Sequence, residues 1–152
     1  MSHPSTQIWQ PHVTVAVVVE QKGKFLLVEE MSNGNMVFNQ PAGHLEEHET
    51  LTDAAVRETC EETGWTIKIT GIVGVSLHVS PHNQVTYHRT TFFGEVVSHN
   101  PDQPLDDGIK RALWMTYEEM LEERERMRSE LVIKTVEQYQ DGHFYPLGLM
   151  FN

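Results

Sequence analysis

One short stretch holds Arg57, Glu58, Glu61 and Glu62. At about 100° per residue on a helix, Glu61 and Glu62 fall within about 60° of Glu58. Three carboxylates then share one face. Such crowding of like charge destabilises an isolated helix. A hard divalent cation relieves it, and Mg²⁺ prefers carboxylate oxygens while keeping waters that bridge to substrate phosphates. Val56 and Cys60 lie on the opposite side, where the spacing predicts the core. Leu51, Ala54 and Ala55 lie near the carboxylates, and the two alanines leave room for the preceding loop, with Gly43, to pack close. A Glu-rich helix is by default a solvated surface, so the surrounding residues must decide between solvation and metal binding.

The elements that position these carboxylates are readable in outline. Thr50, with Asp53 three residues on, resembles a capping box. Gly64 stands where a helix C′ glycine belongs. The helix therefore runs from about Leu51 to Thr63. Before it, His12 to Glu20 reads as a β-branched strand. Lys22-Gly23-Lys24 turns the chain, and Phe25 to Glu30 returns as a hairpin partner. Ser32-Asn33-Gly34-Asn35 is a second turn. Met36 to Leu45, broken by Pro41 and Gly43, is a strand fragment leading into a loop. After the helix come two β-rich stretches, Trp65 to Val79 and Val85 to Val97, then a loop from Ser98 to Gly108 and a strand from Ile109 to Met115. Thr116 and Ser129 are candidate caps for two closing helices, the second with Val132, Val136 and Tyr139 on one stripe. This pattern predicts an α/β domain with helices covering a mixed sheet.

With 152 residues, the chain has room for one domain. We expect an N-terminal arm over 1–11 and a single domain over 12–152. The formal charge is −11, which disfavours nucleic-acid polymers as partners. It leaves small phosphorylated ligands open, because a bound cation inverts the local charge. The apolar run Val15 to Val19 is far short of the ~20 residues of a membrane helix, so no membrane partner is expected. The first residues lack the basic and apolar pattern of a secretory signal. The lone Cys60 cannot form an internal disulfide, and the simplest compartment is a reducing cytoplasm.

The segment from Gly43 to Trp65 resembles the Nudix box: Gly43, five residues, Glu49, seven residues, Arg57-Glu58, two residues, Glu61-Glu62, one residue, Gly64. Chance agreement at these positions is roughly one in 10⁸ per start at average residue usage. Thr59 and Trp65 depart from the pattern at its two aliphatic sites. The stretches HVTVAVVVE, GKFLLVEE, FNQPAGHLE and ELVIKTVEQYQDGHFYPL extend the similarity from about His12 to Leu147, towards the NudJ-type phosphatase branch of the Nudix hydrolases. The resemblance implies an α/β/α sandwich with the box as loop–helix–loop. It implies hydrolysis of small-molecule diphosphates with Mg²⁺, or Mn²⁺ in its place. In that branch the substrates are nucleoside di- and triphosphates, thiamine diphosphate and hydroxymethylpyrimidine diphosphate.

By the same resemblance Glu58, Glu61 and Glu62 are metal ligands, with the Gly43 carbonyl as a fourth. Arg57 acts with them by clamping Glu49, and Gly64 is a structural position of the box. Glu58 is the first choice as general base, with Asp106 or Asp107 as candidates outside the box. Arg89, Phe38 and Asp107 are candidate substrate contacts. Trp9, Tyr87 and Tyr145 are further aromatic candidates for stacking on a ring. His44 and His48 are four apart but precede the helix, and no zinc pattern is present. Three functions stay open at this point: release of orthophosphate from diphosphates, release of pyrophosphate from nucleoside triphosphates, and a catalytically silent ligand sensor. A monomer and a homodimer are both compatible with the sequence.

Overall fold

The run Val15–Val19 is enclosed on both faces, as its unbroken β-branched sequence requires. It belongs to β1, His12–Gln21, the middle strand of the sheet. The computed structural model describes residues 7–151. Residues 7–11 carry no regular structure, and the remainder of the expected arm, 1–6, lies outside the described residues, as does 152.

In chain order there follow β2 (Lys24–Ser32), β3 (Asn35–Asn39), β4 (Ala42–His44), α1 (Leu51–Thr63), β5 (Trp65–Val79), β6 (Thr86–His99), β7 (Ile109–Thr116), α2 (Tyr117–Glu122) and α3 (Leu131–Gln140). Single 3₁₀ turns occupy Arg124–Arg126 and Leu147–Leu149. The sheet order is β3-β2-β1-β6-β5, with β4 on β1 and β7 on β2. β1 and β6 run parallel; the other pairings are antiparallel.

β1 pairs with β2 only next to their turn, at Glu20↔Phe25 and Gln21↔Lys24. Beyond that the two strands splay apart. The gap is filled by the chain leaving β3: Val17 donates to the Pro41 carbonyl at 3.0 Å, and β4 then pairs with Thr14–Ala16. Pro41, which has no N–H to give, suits this entry point. The splay thus threads Gln40 to His44 through the middle of the molecule.

Alternation along β1 sends Val15, Val17 and Val19 to one core, with Leu26, Ile67, Phe92, Ala54 and Ala55. It sends Val18 to the other, with Leu27, Phe38, Met120, Val132, Ile133 and Val136. Helix α1 covers the first face and α3 the second, which makes the expected α/β/α sandwich. Capping behaves as read for α1, where Asp53 N donates to Thr50 Oγ1 at 3.1 Å and Gly64 takes φ 74°. Thr116 and Glu119 form a full capping box on α2. Ser129 sits one residue outside the start of α3: Glu130 is the cap position, and Ser129 Oγ accepts from Leu131 N at 3.3 Å.

The buried face of α1 differs from the expected one. Ala54, Ala55, Thr59, Glu62 and Thr63 face inward, while Val56 and Cys60 are only half-buried. Two methyl side chains let the helix axis approach the sheet, so the alanine stripe wins the contact. Cys60 turns instead to the Gln103 side chain, its Sγ 3.5 Å from Oε1. Thr59, at an aliphatic site of the box, hides its hydroxyl by donating to the Ala55 carbonyl at 2.8 Å. Trp65, the other departure, stacks on His99 with ring centroids 4.2 Å apart.

Candidate active site

The rotation of α1 grades its three carboxylates. Glu62 is 5% exposed and lies on the inward face. Its Oε1 accepts the Ala42 N–H at 2.8 Å. Burial, with Glu30, Glu58 and Asp106 nearby, pushes its carboxyl up to about 9 against the pull of that hydrogen bond. Glu58 is half-buried at the edge of the face. Burial raises its carboxyl above the ordinary range, opposed by the Arg57 guanidinium. Glu61 stands furthest into solvent.

Arg57 ties the loop to the helix. Its Nε donates to Glu49 Oε2 at 2.6 Å and its Nη2 to Glu49 Oε1 at 2.9 Å. Nη2 also reaches the His44 carbonyl at 3.1 Å. Nη1 donates to Glu58 Oε1 at 2.9 Å and to Glu61 Oε2 at 3.2 Å. The planar fork makes these contacts together, which an ammonium cannot do. Hydrogen bonding to Arg57, despite burial, holds the Glu49 carboxyl below its usual range.

Gly43 lies directly over this group. A Cβ at this position would overlap the Glu58 carboxyl group, so any side chain there displaces it. Gly64 closes the helix in the left-handed region, where a Cβ would come 2.7 Å from the Asn100 carbonyl.

From outside the box the loop after β6 brings one more acid. The Asp106 N–H donates to the Glu61 carbonyl at 3.1 Å, which places its side chain at the helix. Carboxylate oxygens of Glu58, Glu61 and Asp106 lie within 4.8 Å of one another. Asp107, the neighbouring candidate, is exposed and stands outside this group. The backbone bond fixes residue 106 towards the helix, and its successor is carried away by the turn to Gly108 at φ 87°. Three oxygen donors at this spacing are a hard-cation donor set. Glu62 does not join the three.

The other candidates are placed as follows. Phe38 is 2% exposed within the core, with the Arg126 guanidinium 4.3 Å over its ring. No face of it is left for a substrate, because β3 pairs Phe38 opposite Glu29 and turns it towards α3. Tyr87 stands edge-on to His12 and His44, with centroids 5.6 and 6.1 Å away. His44 pairs with His12, Nε2 to Nδ1 at 3.1 Å. Trp9 is 69% exposed, and Tyr145 bridges to Ile72 at the far strand. Arg89, two residues along β6 from Tyr87 and on the same face, donates from Nη2 to Gln40 Oε1 at 2.6 Å. Its Nε is buried without a partner among the described residues. Burial, with Arg128 nearby, lowers it to about 10, so it remains a cation at neutral pH.

Sequence reasoning missed a polar group beside this loop. Arg128 Nη1 donates to the buried Glu30 at 2.6 Å, and Asn39 Nδ2 reaches the same carboxylate at 3.3 Å. On the other face of β2, buried Glu29 takes Arg126 at 2.8 Å and Arg111 at 3.3 Å. The signal available was Glu29-Glu30 at the end of an apolar strand, since buried acids need partners.

The NUDIX domain model matches residues 10–136. The chain is 41% identical to "Phosphatase NudJ" of Escherichia coli strain K12 and of Shigella flexneri, over 94% of this chain and 92% of theirs. A Nudix hydrolase from Nitrosomonas europaea superposes with a TM-score of 0.92 at 42% identity, covering 94% of this chain and 97% of that one. A MutT protein from Methanosarcina mazei Go1 shares the fold, with a TM-score of 0.71 at 22% identity, over 90% of this chain and 99% of that one. With Gly43, Glu49, Arg57 and the glutamates set in one clamped loop and helix, and relatives matched along nearly their whole length, the chain belongs to the Nudix family and is a hydrolase of phosphorus-containing anhydrides.

Proposed function

We propose that this chain removes orthophosphate from small diphosphates with Mg²⁺, or Mn²⁺ in its place. The candidate substrates are nucleoside di- and triphosphates, thiamine diphosphate and hydroxymethylpyrimidine diphosphate. The observation that carries the reading is the convergence of Glu58, Glu61 and Asp106 beneath Gly43. Around it stands a chain similar in sequence, over nearly its full length, to proteins named phosphatases.

Glu58, Glu61 and Asp106 would hold the cation, with the oxygen of Glu62 not taken by Ala42 and the Gly43 carbonyl as further donors. When bound, the cation neutralises phosphate charge and acidifies a coordinated water. Arg57 keeps Glu58 and Glu61 aimed by holding their carboxylates from the helix side. Asp106 brings its carboxylate within 4.8 Å of those of Glu58 and Glu61. It shares with Glu58 the candidacy for the base that takes the proton of the attacking water. Arg89 meets the phosphates, and Tyr87 offers an aromatic edge beside them. The cytoplasm is the proposed compartment; among the described residues no helix is long and apolar enough to cross a membrane.

Product identity tests the reading. Phosphorus NMR of a nucleoside diphosphate with the protein and Mg²⁺ is expected to show orthophosphate and the monophosphate in equal amounts. Pyrophosphate as the main product from a triphosphate would overturn it.

A further inference from the structure

Arg89 is half-buried, and among the described residues no carboxylate forms an ion pair with it; Glu30 and Glu62 act on it only from a distance. Other guanidiniums are paired with acids: Arg57 with Glu49 and Glu58, Arg126 and Arg111 with Glu29, and Arg128 with Glu30. Arg89 has instead the neutral carbonyl oxygen of Gln40, and its Nε has no partner among the described residues. A guanidinium held by a neutral oxygen keeps its charge available to an arriving anion.

The Gln40 side chain explains why Arg89 keeps one orientation. It is 1% exposed. Its Nε2 donates to the Val132 carbonyl at 2.8 Å and to Thr135 Oγ1 at 2.6 Å. A carbonyl only accepts, so the NH₂ end must face α3. Thr135 passes its own proton to the Leu131 carbonyl at 2.7 Å and so accepts from Gln40. The amide oxygen is left for one task, which is to hold Arg89 Nη2. The relay Arg89–Gln40–Thr135–Leu131 is directional, each member donating to the next from the guanidinium to the helix. Gln40 lies three residues before Gly43, in the segment threaded between the splayed strands.

We propose that Gln40, fixed by Thr135 and the Val132 carbonyl, is a positioning residue that aims Arg89 at a phosphate of the bound diphosphate. This rests on the diphosphate reading above and adds how the chain, at net charge −11, recognises phosphate apart from a metal. A neutral partner is essential to the device. A carboxylate at position 40 would neutralise the guanidinium and compete with the ligand.

The test uses the full chain with Mg²⁺ and two ligands: methylenediphosphonate, titrated calorimetrically, and a nucleoside diphosphate, for steady-state kinetics. Gln40→Met, Gln40→Glu and Arg89→Met are each expected to raise the dissociation constant of methylenediphosphonate about 10- to 100-fold. KM for the nucleoside diphosphate rises in parallel with that dissociation constant. Thr135→Val gives a smaller rise in the same direction. The double variant Gln40→Met/Arg89→Met is no weaker than Arg89→Met alone, because the two act as one unit. If Gln40→Met does not fold, Gln40→Glu decides, since it keeps the shape and the acceptor. Weakening by Arg89→Met with unchanged binding in Gln40→Glu overturns the positioning role. Unchanged methylenediphosphonate binding in Arg89→Met overturns the phosphate contact itself. Absence of orthophosphate release by the unsubstituted chain overturns the orthophosphate-releasing reading independently, because calorimetry reads binding without turnover.

Discussion

Arg57 holds Glu49 through two nitrogens at once, Nε at 2.6 Å and Nη2 at 2.9 Å, and so fastens the loop before α1 to the middle of that helix. The same guanidinium reaches Glu58 and Glu61 with its remaining nitrogen. Loop geometry and carboxylate geometry therefore depend on one planar group. Arg57→Lys keeps the charge and loses the fork. We expect a loss of roughly 1–3 kcal/mol in stability and a fall in kcat of about tenfold or more. Urea unfolding and steady-state kinetics check both; a silent substitution would show that Arg57 does not hold the loop.

Gly43→Ala separates chemistry from folding. The added methyl overlaps the Glu58 carboxyl group rather than backbone, and a flexible side chain gives way cheaply. The melting temperature should change by only a few degrees, the equivalent of about 1 kcal/mol or less. Displacing the carboxylate should cost about 10²-fold in kcat. A variant with unimpaired turnover would mean that Glu58 does not act from the position it occupies under Gly43.

Glu62 gives a pH prediction for the metal-free protein. Its carboxyl rises from an ordinary 4.5 to about 9 on folding, chiefly through burial. Between those values the folded chain keeps a proton that the unfolded chain releases. Stability from this group is thus full below about pH 4.5 and is lost as pH rises towards 9. Glu62→Gln removes that slope and keeps an acceptor for Ala42. With chelator present, the variant should melt above the parent at pH 8 and level with it at pH 4.5. Calorimetric scans at the two pH values decide it: equal melting points at pH 8 would show that Glu62 is not held protonated.

Much of the site was legible because it is local in sequence. The cap Thr50, the stop at Gly64, and the clamp from Glu49 to Arg57 all lie within one short segment, so spacing alone defines α1 as Leu51–Thr63. What the spacing leaves undetermined is which side of α1 meets the sheet. Ala54 and Ala55 outcompete Val56 and Cys60 because small side chains permit close approach, a property of the partner surface. Phe38 illustrates the same limit in a strand: its face follows from pairing with Glu29 on β2. The choice of Asp106 over Asp107 rests on one backbone hydrogen bond to Glu61 across 45 residues. The Gln40–Arg89 contact joins β6 to the loop after β3, and nothing in either segment alone announces it.

The central claim is that the carboxylates of Glu58, Glu61 and Asp106 work together on a cation to drive diphosphate hydrolysis. Glu61→Gln and Asp106→Asn each remove one charge while keeping size and polarity. The measurement is orthophosphate release from a nucleoside diphosphate at saturating Mg²⁺, followed by phosphorus NMR, on chains shown by circular dichroism to be folded. We expect the unsubstituted chain to release orthophosphate and each variant to turn over at least about 10²-fold more slowly. Rates in both variants close to that of the unsubstituted chain would contradict the account.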